Sequence, residues 1–204
     1  MKSILLPFFL LFSLMFSCQS PSGNVEAAFD ISAYQSEAVA GSEMTRLQKM
    51  DANGVLSEDG FIENGVPHGA WITYHQGGVF PAKITHYAQG KFNGAYFEFT
   101  QHGQLTVRAN YKDNQFDGYW AKYSFGRPIL EANYKNGQLD GVYKEYDTST
   151  GTIQKEMNYK AGQLHGNYRF YNAEGSVIAE YEYENGEQVS GGIVNLPADT
   201  SATQ

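Results

Sequence analysis

YKNGQLDG, residues 134–141, returns along the chain with small changes: YAQGKFNG from Tyr87, YKDNQFDG from Tyr111 and YKAGQLHG from Tyr159. Its closing glycine falls at Gly69, Gly94, Gly118, Gly141 and Gly166, at spacings of 25, 24, 23 and 25. A second glycine set, Gly78, Gly103, Gly126, Gly151 and Gly175, follows 8 to 10 residues later in each unit. Periods of 20 to 50 residues mark arrays in which each unit is one supersecondary element. Two turn signals per unit make that element a β-hairpin.

The motif reads as a chain reversal. Before its closing glycine stand His68, Asn93, Asp117, Asp140 and His165, residue types that tolerate positive φ best after glycine. Asn-Gly and Asp-Gly between apolar runs are the strongest short hairpin signal. Two residues beyond that glycine an aromatic recurs, at Trp71, Tyr96, Trp120, Tyr143 and Tyr168, and five beyond it another, at Tyr74, Phe99, Tyr123, Tyr146 and Tyr171. Strand side chains alternate with period 2, so unless a bulge intervenes the two sets line opposite faces. The returning segments alternate too: Leu105, Val107, Ala109 and Tyr111 share one side, opposite Arg108 and Asn110.

The expected fold is all-β, an elongated antiparallel β-meander of about six hairpin repeats over residues 44–195. Residues 44–63 form a degenerate first unit with Leu47 and Met50 in the aromatic places, and Gly191–Asn195 a short closing strand. Atypical end units suit the capping of exposed sheet edges. The composition agrees, with 15 Tyr, 22 Gly and an aromatic share of 15%. Fourteen Lys and Arg against 22 Asp and Glu give a net charge of −8, which disfavours a nucleic-acid partner held through phosphates.

The chain opens with MKSILLPFFLLFSLMFSC: one Lys, an apolar run from Ile4 to Phe16, then Ser17 and the only cysteine, Cys18. Residues 1–17 have the form of a secretory signal peptide. The Ser17–Cys18 junction resembles the lipobox of bacterial lipoproteins, which implies cleavage before Cys18 and lipidation there; the alternative is a leader cut nearby and discarded. Gln19 after the cysteine leans, by the same resemblance, towards the outer membrane of the cell envelope. Residues 18–43 are small, polar and acidic without a sustained period and read as a flexible tether of roughly 25 to 30 Å reach. Residues 196–204 read as a disordered tail.

Units such as NGQLDGVYKEYDTSTGTIQKEMNYK, from Asn136 to Lys160, resemble the bacterial MORN-repeat variant of the YwqK antitoxin type over residues 64–188, and more weakly over 44–63. The resemblance implies an elongated meander, and a scaffold or antitoxin-like inhibitor that contacts proteins close to a membrane. Nothing in the chain suggests an enzyme or a cofactor. The histidines at 68, 75, 86, 102 and 165 show no metal-ligand spacing, and Asp51–Ile62 departs from a calcium loop with Leu56 at its sixth place and Ile62 at its twelfth. Ring rows serve first to cover one another in a single-layer sheet; as contacts they suit a protein partner, a glycan or a membrane surface. Trp71 and Trp120 depart from the Tyr of their column and lead the candidate partner-binding set with Tyr96, Tyr143 and Tyr168. Glu174, Glu180, Glu182, Glu184 and Glu187 make the last unit acidic, either a solvated face or a dock for a basic partner.

Overall fold

The computed structural model describes residues 29–194. These residues form no helix; all regular structure is one open antiparallel sheet of 16 strands, wound as a meander. The first half comprises β1 (Gln35–Ala38), β2 (Met44–Met50), β3 (Leu56–Glu63), β4 (Val66–Tyr74), β5 (Pro81–Ala88), β6 (Lys91–Phe99), β7 (Leu105–Lys112) and β8 (Gln115–Phe116). The second comprises β9 (Gly118–Ser124), β10 (Arg127–Lys135), β11 (Gln138–Leu139), β12 (Gly141–Tyr146), β13 (Ile153–Lys160), β14 (Gln163–Tyr171), β15 (Val177–Glu184) and β16 (Glu187–Ile193). β8 and β11 lead into β9 and β12, so fourteen positions span the sheet, a length of about 60 Å at the usual strand spacing.

The quoted motif builds its hairpin differently from the expectation. Tyr134 pairs with Leu139 and Lys135 with Gln138, so the reversal is the two-residue turn Asn136-Gly137, with φ of 50° and 78°. Both central residues of a type I′ turn need positive φ. The same place is filled by Asn64-Gly65, Gln89-Gly90, Asp113-Asn114, Ala161-Gly162 and Asn185-Gly186. His68, Asn93, Asp117, Asp140 and His165 are not in the positive-φ set. The dipeptide they begin is an irregularity in the outgoing strand, such as the register shift that falls between Met157 and Tyr159 opposite β14.

Those residues instead tie one hairpin to the next. Asp117 Oδ2 accepts the backbone N–H of Asn136 at 3.1 Å, and Asp140 Oδ2 that of Ala161 at 3.1 Å. His165 Nδ1 sits 3.5 Å from the N of Asn185. Alongside, each motif turn from Gln89-Gly90 onward donates a backbone bond to the preceding hairpin: Gly90 to Pro67, Asn114 to Phe92, Gly137 to Phe116, Gly162 to Leu139 and Gly186 to Leu164, all at 2.8–3.0 Å. The motif turns therefore stack into a continuous hydrogen-bonded edge. The opposite edge carries what we call the far turns, among them Asp51–Gly54, His75–Phe80 and Thr100–Gln104, each closed by its own backbone bonds.

Cross-strand register sorts the side chains onto two faces. On the ring face one row runs through Leu47, Gly60, Trp71, Thr85, Tyr96, Ala109, Trp120, Ala132, Tyr143, Met157, Tyr168 and Tyr181, with bulky residues mostly on outgoing strands and small ones on returning strands. A second row pairs the return-strand tyrosine with the apolar residue beyond its turn: Tyr87 with Phe92, Tyr111 with Phe116, Tyr134 with Leu139 and Tyr159 with Leu164. Seven of the nine buried apolar residues among those described lie in these two rows, with Leu47, Ala109 and Ala132 at 0% exposure. The other face holds Tyr74, Phe99, Tyr123, Tyr146 and Tyr171, so both faces carry rings, as the offsets of two and five require. Its centre changes from Ile72, Ile84 and Phe97 to a charged ladder in which Lys144 bridges Glu156 at 3.4 Å, Glu156 meets Arg169 at 3.5 Å and Arg169 reaches Glu180 at 2.9 Å. One of the last unit's acids is thus already paired.

Strand pairing begins upstream of the expected boundary at Met44. β1 lies antiparallel to β2, with Gln35 opposite Gln48 and Ala38 opposite Thr45, so part of the segment read as a tether belongs to the sheet. The leader, Cys18 and residues 196–204 lie outside the described residues.

Two substitutions test the packing. A Cβ at Gly60 would stand 2.1 Å from the Trp71 ring, so Gly60→Ala is expected to lose about 1–3 kcal/mol in urea unfolding; a neutral result would mean the ring is not seated there. Ala161 holds φ of 48°, and Ala161→Asn should raise stability by up to about 1 kcal/mol, because Asn tolerates that conformation better.

Candidate functional site

A row of rings on one open face is the feature most suited to contact. Its first member is not available. Trp71 is 7% exposed, covered by the segment that precedes β1: Phe29 lies 5.1 Å from it and Tyr34 5.8 Å, both edge-on. The Tyr34 hydroxyl donates to Glu58 Oε2 at 2.7 Å, the Trp71 indole N–H to the same oxygen at 3.4 Å, and Lys49 Nζ to Oε1 at 3.0 Å. The Lys49 ammonium also stands 5.6 Å from the centre of the Tyr34 ring. Residues 29–34 thus form a strap, two rings and a hydroxyl fixed to a ring-and-carboxylate station of the sheet. Trp71 is corrected from a contact residue to the floor beneath this strap.

Tyr96, Trp120, Tyr143 and Tyr168 stand in the same row and remain half-exposed. Successive members are two strands apart, about 10 Å. The positions flanking both tryptophans are small, Gly60 and Thr85 beside Trp71 and Ala109 and Ala132 beside Trp120, as are Thr85 and Ala109 beside Tyr96.

The carboxylates beside the rings escaped the sequence reading. Tyr96 donates to Glu98, and Tyr143 donates to Glu145 at 3.3 Å. Lys155 bridges Glu145 at 2.8 Å, and Lys83 lies 5.7 Å from the Tyr96 ring centre. The signal was present as an aromatic followed two residues later by Glu, which places both on one face. Stations at Tyr96 and Tyr143 thus repeat the ring, carboxylate and ammonium seen at Trp71, without a strap over them among the described residues. Around Trp120 the neighbours are Lys122, Val107 and Leu130 instead. At the far end Tyr168 stacks on Phe170 at 4.5 Å, with Tyr183 and Tyr181 beside them.

Burial shifts the acid–base behaviour of this face. Desolvation pushes the Tyr34 hydroxyl above the usual phenol range, assisted by its bond to Glu58, and does the same for Tyr96 with the help of Glu98 and for Tyr143 with the charge of Glu145. For Glu58 burial acts upward, yet the combined bonds from Tyr34, Lys49 and Trp71 hold it below the ordinary carboxylate value.

Among the described residues no group of three or more His, Cys, Asp or Glu is placed to hold a metal ion. The histidines do not converge: His75 Nε2 lies 2.9 Å from Phe99 O, and His86 Nδ1 donates to Ala95 O at 2.8 Å. No known family profile matches the chain, and no curated protein is detectably similar to it in sequence.

The tyrosine shifts set a pH dependence. Their folded values lie above the unfolded value of about 10, so the neutral hydroxyls stabilise the fold fully below about pH 10, and this contribution is lost as pH rises beyond it. Alkaline spectrophotometric titration should leave Tyr34, Tyr96 and Tyr143 protonated until the protein unfolds; ordinary titration of every tyrosine in the folded chain would contradict the packing.

Proposed function

We propose that this chain is a lipid-anchored, non-enzymatic MORN-type module of the bacterial envelope, probing a protein partner with its ring face. The observation that supports the protein-binding reading is the strap. Residues 29–34 cover Trp71 with a non-helical segment whose rings lie edge-on to it and whose hydroxyl bonds the adjacent carboxylate, and this supports the same mode of contact along the row. The stations at Tyr96 and Tyr143 repeat that chemistry. A partner segment bearing aromatic and hydroxyl groups at matching separation fits them, with half-buried rings acting as contact hot spots.

The anchoring part of the proposal rests on the leader and on Cys18, with ten residues between that cysteine and the strap. In this reading the lipid supplies location and the sheet supplies recognition. Scaffold and antitoxin-like inhibitor are two uses of the same surface, separated by whether the bound partner loses its own activity.

The test is crosslinking in native envelope with the full chain, comparing Trp120→Ala and Tyr143→Ala with Tyr74→Ala on the other face. One defined protein should be recovered with the parent and with Tyr74→Ala, and fall about tenfold or more with the two ring-face variants, the scale of a hot-spot loss. Equal recovery from all variants, or no defined protein at all, would remove the reading.

A further inference from the structure

Away from the ring face, three consecutive far turns, Asp51–Gly54, His75–Phe80 and Thr100–Gln104, enclose a groove of about 510 Å³, a size common among small-ligand sites. The middle turn creates it. Its closing backbone bond joins His75 N to Phe80 O, whereas the next turn closes from Thr100 N to Gln104 O, one residue shorter. The lengthening is visible in the spacing of the glycines: 16 residues from Gly78 to Gly94, against 15 from Gly54 to Gly69, Gly103 to Gly118, Gly126 to Gly141 and Gly151 to Gly166. The shorter turn joins the same kind of strands equally well, and Asp147–Thr152 closes at the longer length too, so what sets the middle turn apart is the exposed apolar pair Val79 and Phe80 that its extra residue carries. Insertions in repeat arrays collect on loops of a binding face.

The extra length lifts apolar side chains into the open. Val79 is 76% exposed and Phe80 42%. The Phe80 ring rests on Gly103, where a Cβ would come within 2.8 Å of it; that glycine, at φ of 77°, leaves room for the ring against the next turn.

The polar wall is built mostly of amides and imidazoles. No Lys or Arg lines the groove. Asp51 is its single carboxylate, and Oδ1 already accepts the N–H groups of Asn53 at 2.8 Å and Val55 at 2.9 Å. The remaining groups are the amides of Asn53, Gln76 and Gln101 and the imidazoles of His75 and His102. Because Phe99 O can only accept, His75 Nε2 carries the hydrogen of their 2.9 Å bond, and in the neutral ring Nδ1 is then an acceptor. An anion would find no fixed cation here, and a cation only one partly committed carboxylate. A wholly apolar ligand would strip water from the amides and leave them unpaired.

We infer that this groove is a binding site for a neutral saccharide of one or two sugar rings. One sugar face packs on Phe80 and Val79, while its hydroxyls exchange hydrogen bonds with the amides and imidazoles. The site is independent of the protein-binding reading of the ring face, so either can fail alone.

The experiment is NMR titration of the full chain, held in a sugar-free detergent, with maltose, lactose and the N-acetylglucosamine disaccharide, and with inorganic phosphate and butyrate as controls. At least one disaccharide should shift the side-chain signals of His75, His102 and Gln101 saturably, with a Kd on the order of 1 mM, the affinity that ligand-efficiency limits allow at this size. Gln101→Ala should weaken binding about fivefold, the loss of one hydrogen bond. Deleting Val79, which restores the shorter turn, should abolish the shifts while the remaining spectrum keeps its dispersion. Absence of a saturable response to every sugar, a response to phosphate or butyrate alone, or shifts that survive removal of Val79 would each overturn the assignment.

Discussion

A single-layer sheet has no second layer to shelter its apolar side chains, so each must be covered by neighbours on its own face. The rest of this structure answers that constraint. Rings on outgoing strands lean over small residues on returning ones, as Trp120 does beside Ala109 and Ala132. The return tyrosines lock against the residue beyond each turn, and ring contacts run without interruption from Phe29 through Trp71, Tyr87, Phe92, Tyr111 and Phe116 to Tyr134. Cross-strand pairs of this kind supply a few tenths to about 1 kcal/mol each. Stability in such an array comes from many small contributions, and the buried clusters among the described residues are small.

The same constraint explains the two ends. Near the start of the sheet, where the position beside Trp71 is the bare Gly60, the chain folds its own residues 29–34 back over the ring. At the last, β16 closes the sheet with Gly191 pressed against the backbone of Glu180 and Tyr181, where any Cβ would collide at 2.3–2.4 Å. A bulge at Val189 precedes it within the same strand, between the partners of Glu182 and Tyr183. Bulges and glycines make an edge a poor template for another strand. The interior stations, having neither strap nor closing strand, keep part of each ring exposed.

Much of this was legible in the sequence. The glycine period gave hairpins, and the offsets of two and five placed the rings on opposite faces. The reversal itself was misplaced by four residues, because Asn136-Gly137 and Asp140-Gly141 both satisfy the hairpin signal. Pairing of Tyr134 with Leu139 leaves only two residues for the turn and so selects the first dipeptide. The second became a staple to the following hairpin, a long-range role that local propensity does not encode. The strap was hidden in a polar stretch with no period; its trace was the two aromatic residues of the presumed tether, Phe29 and Tyr34, spaced five apart. Which rings are covered depends on that distant segment, and so Trp71 could not be told from Trp120 by inspection of the repeat alone.

The stacking of motif turns governs how such a chain can change length in evolution. Each turn is bonded to the turn one hairpin earlier, and the ring row survives only if outgoing strands stay outgoing. Duplication or loss of a whole unit, about two dozen residues, preserves both relations and simply moves the closing strand along. Loss of a single strand reverses the direction of everything after it, leaving aspartates such as Asp117 without the N–H groups they now bind. The array is thus free to vary in whole hairpins and forbidden to vary in halves, so its length behaves as a counted quantity, adjustable to the span of whatever it must reach.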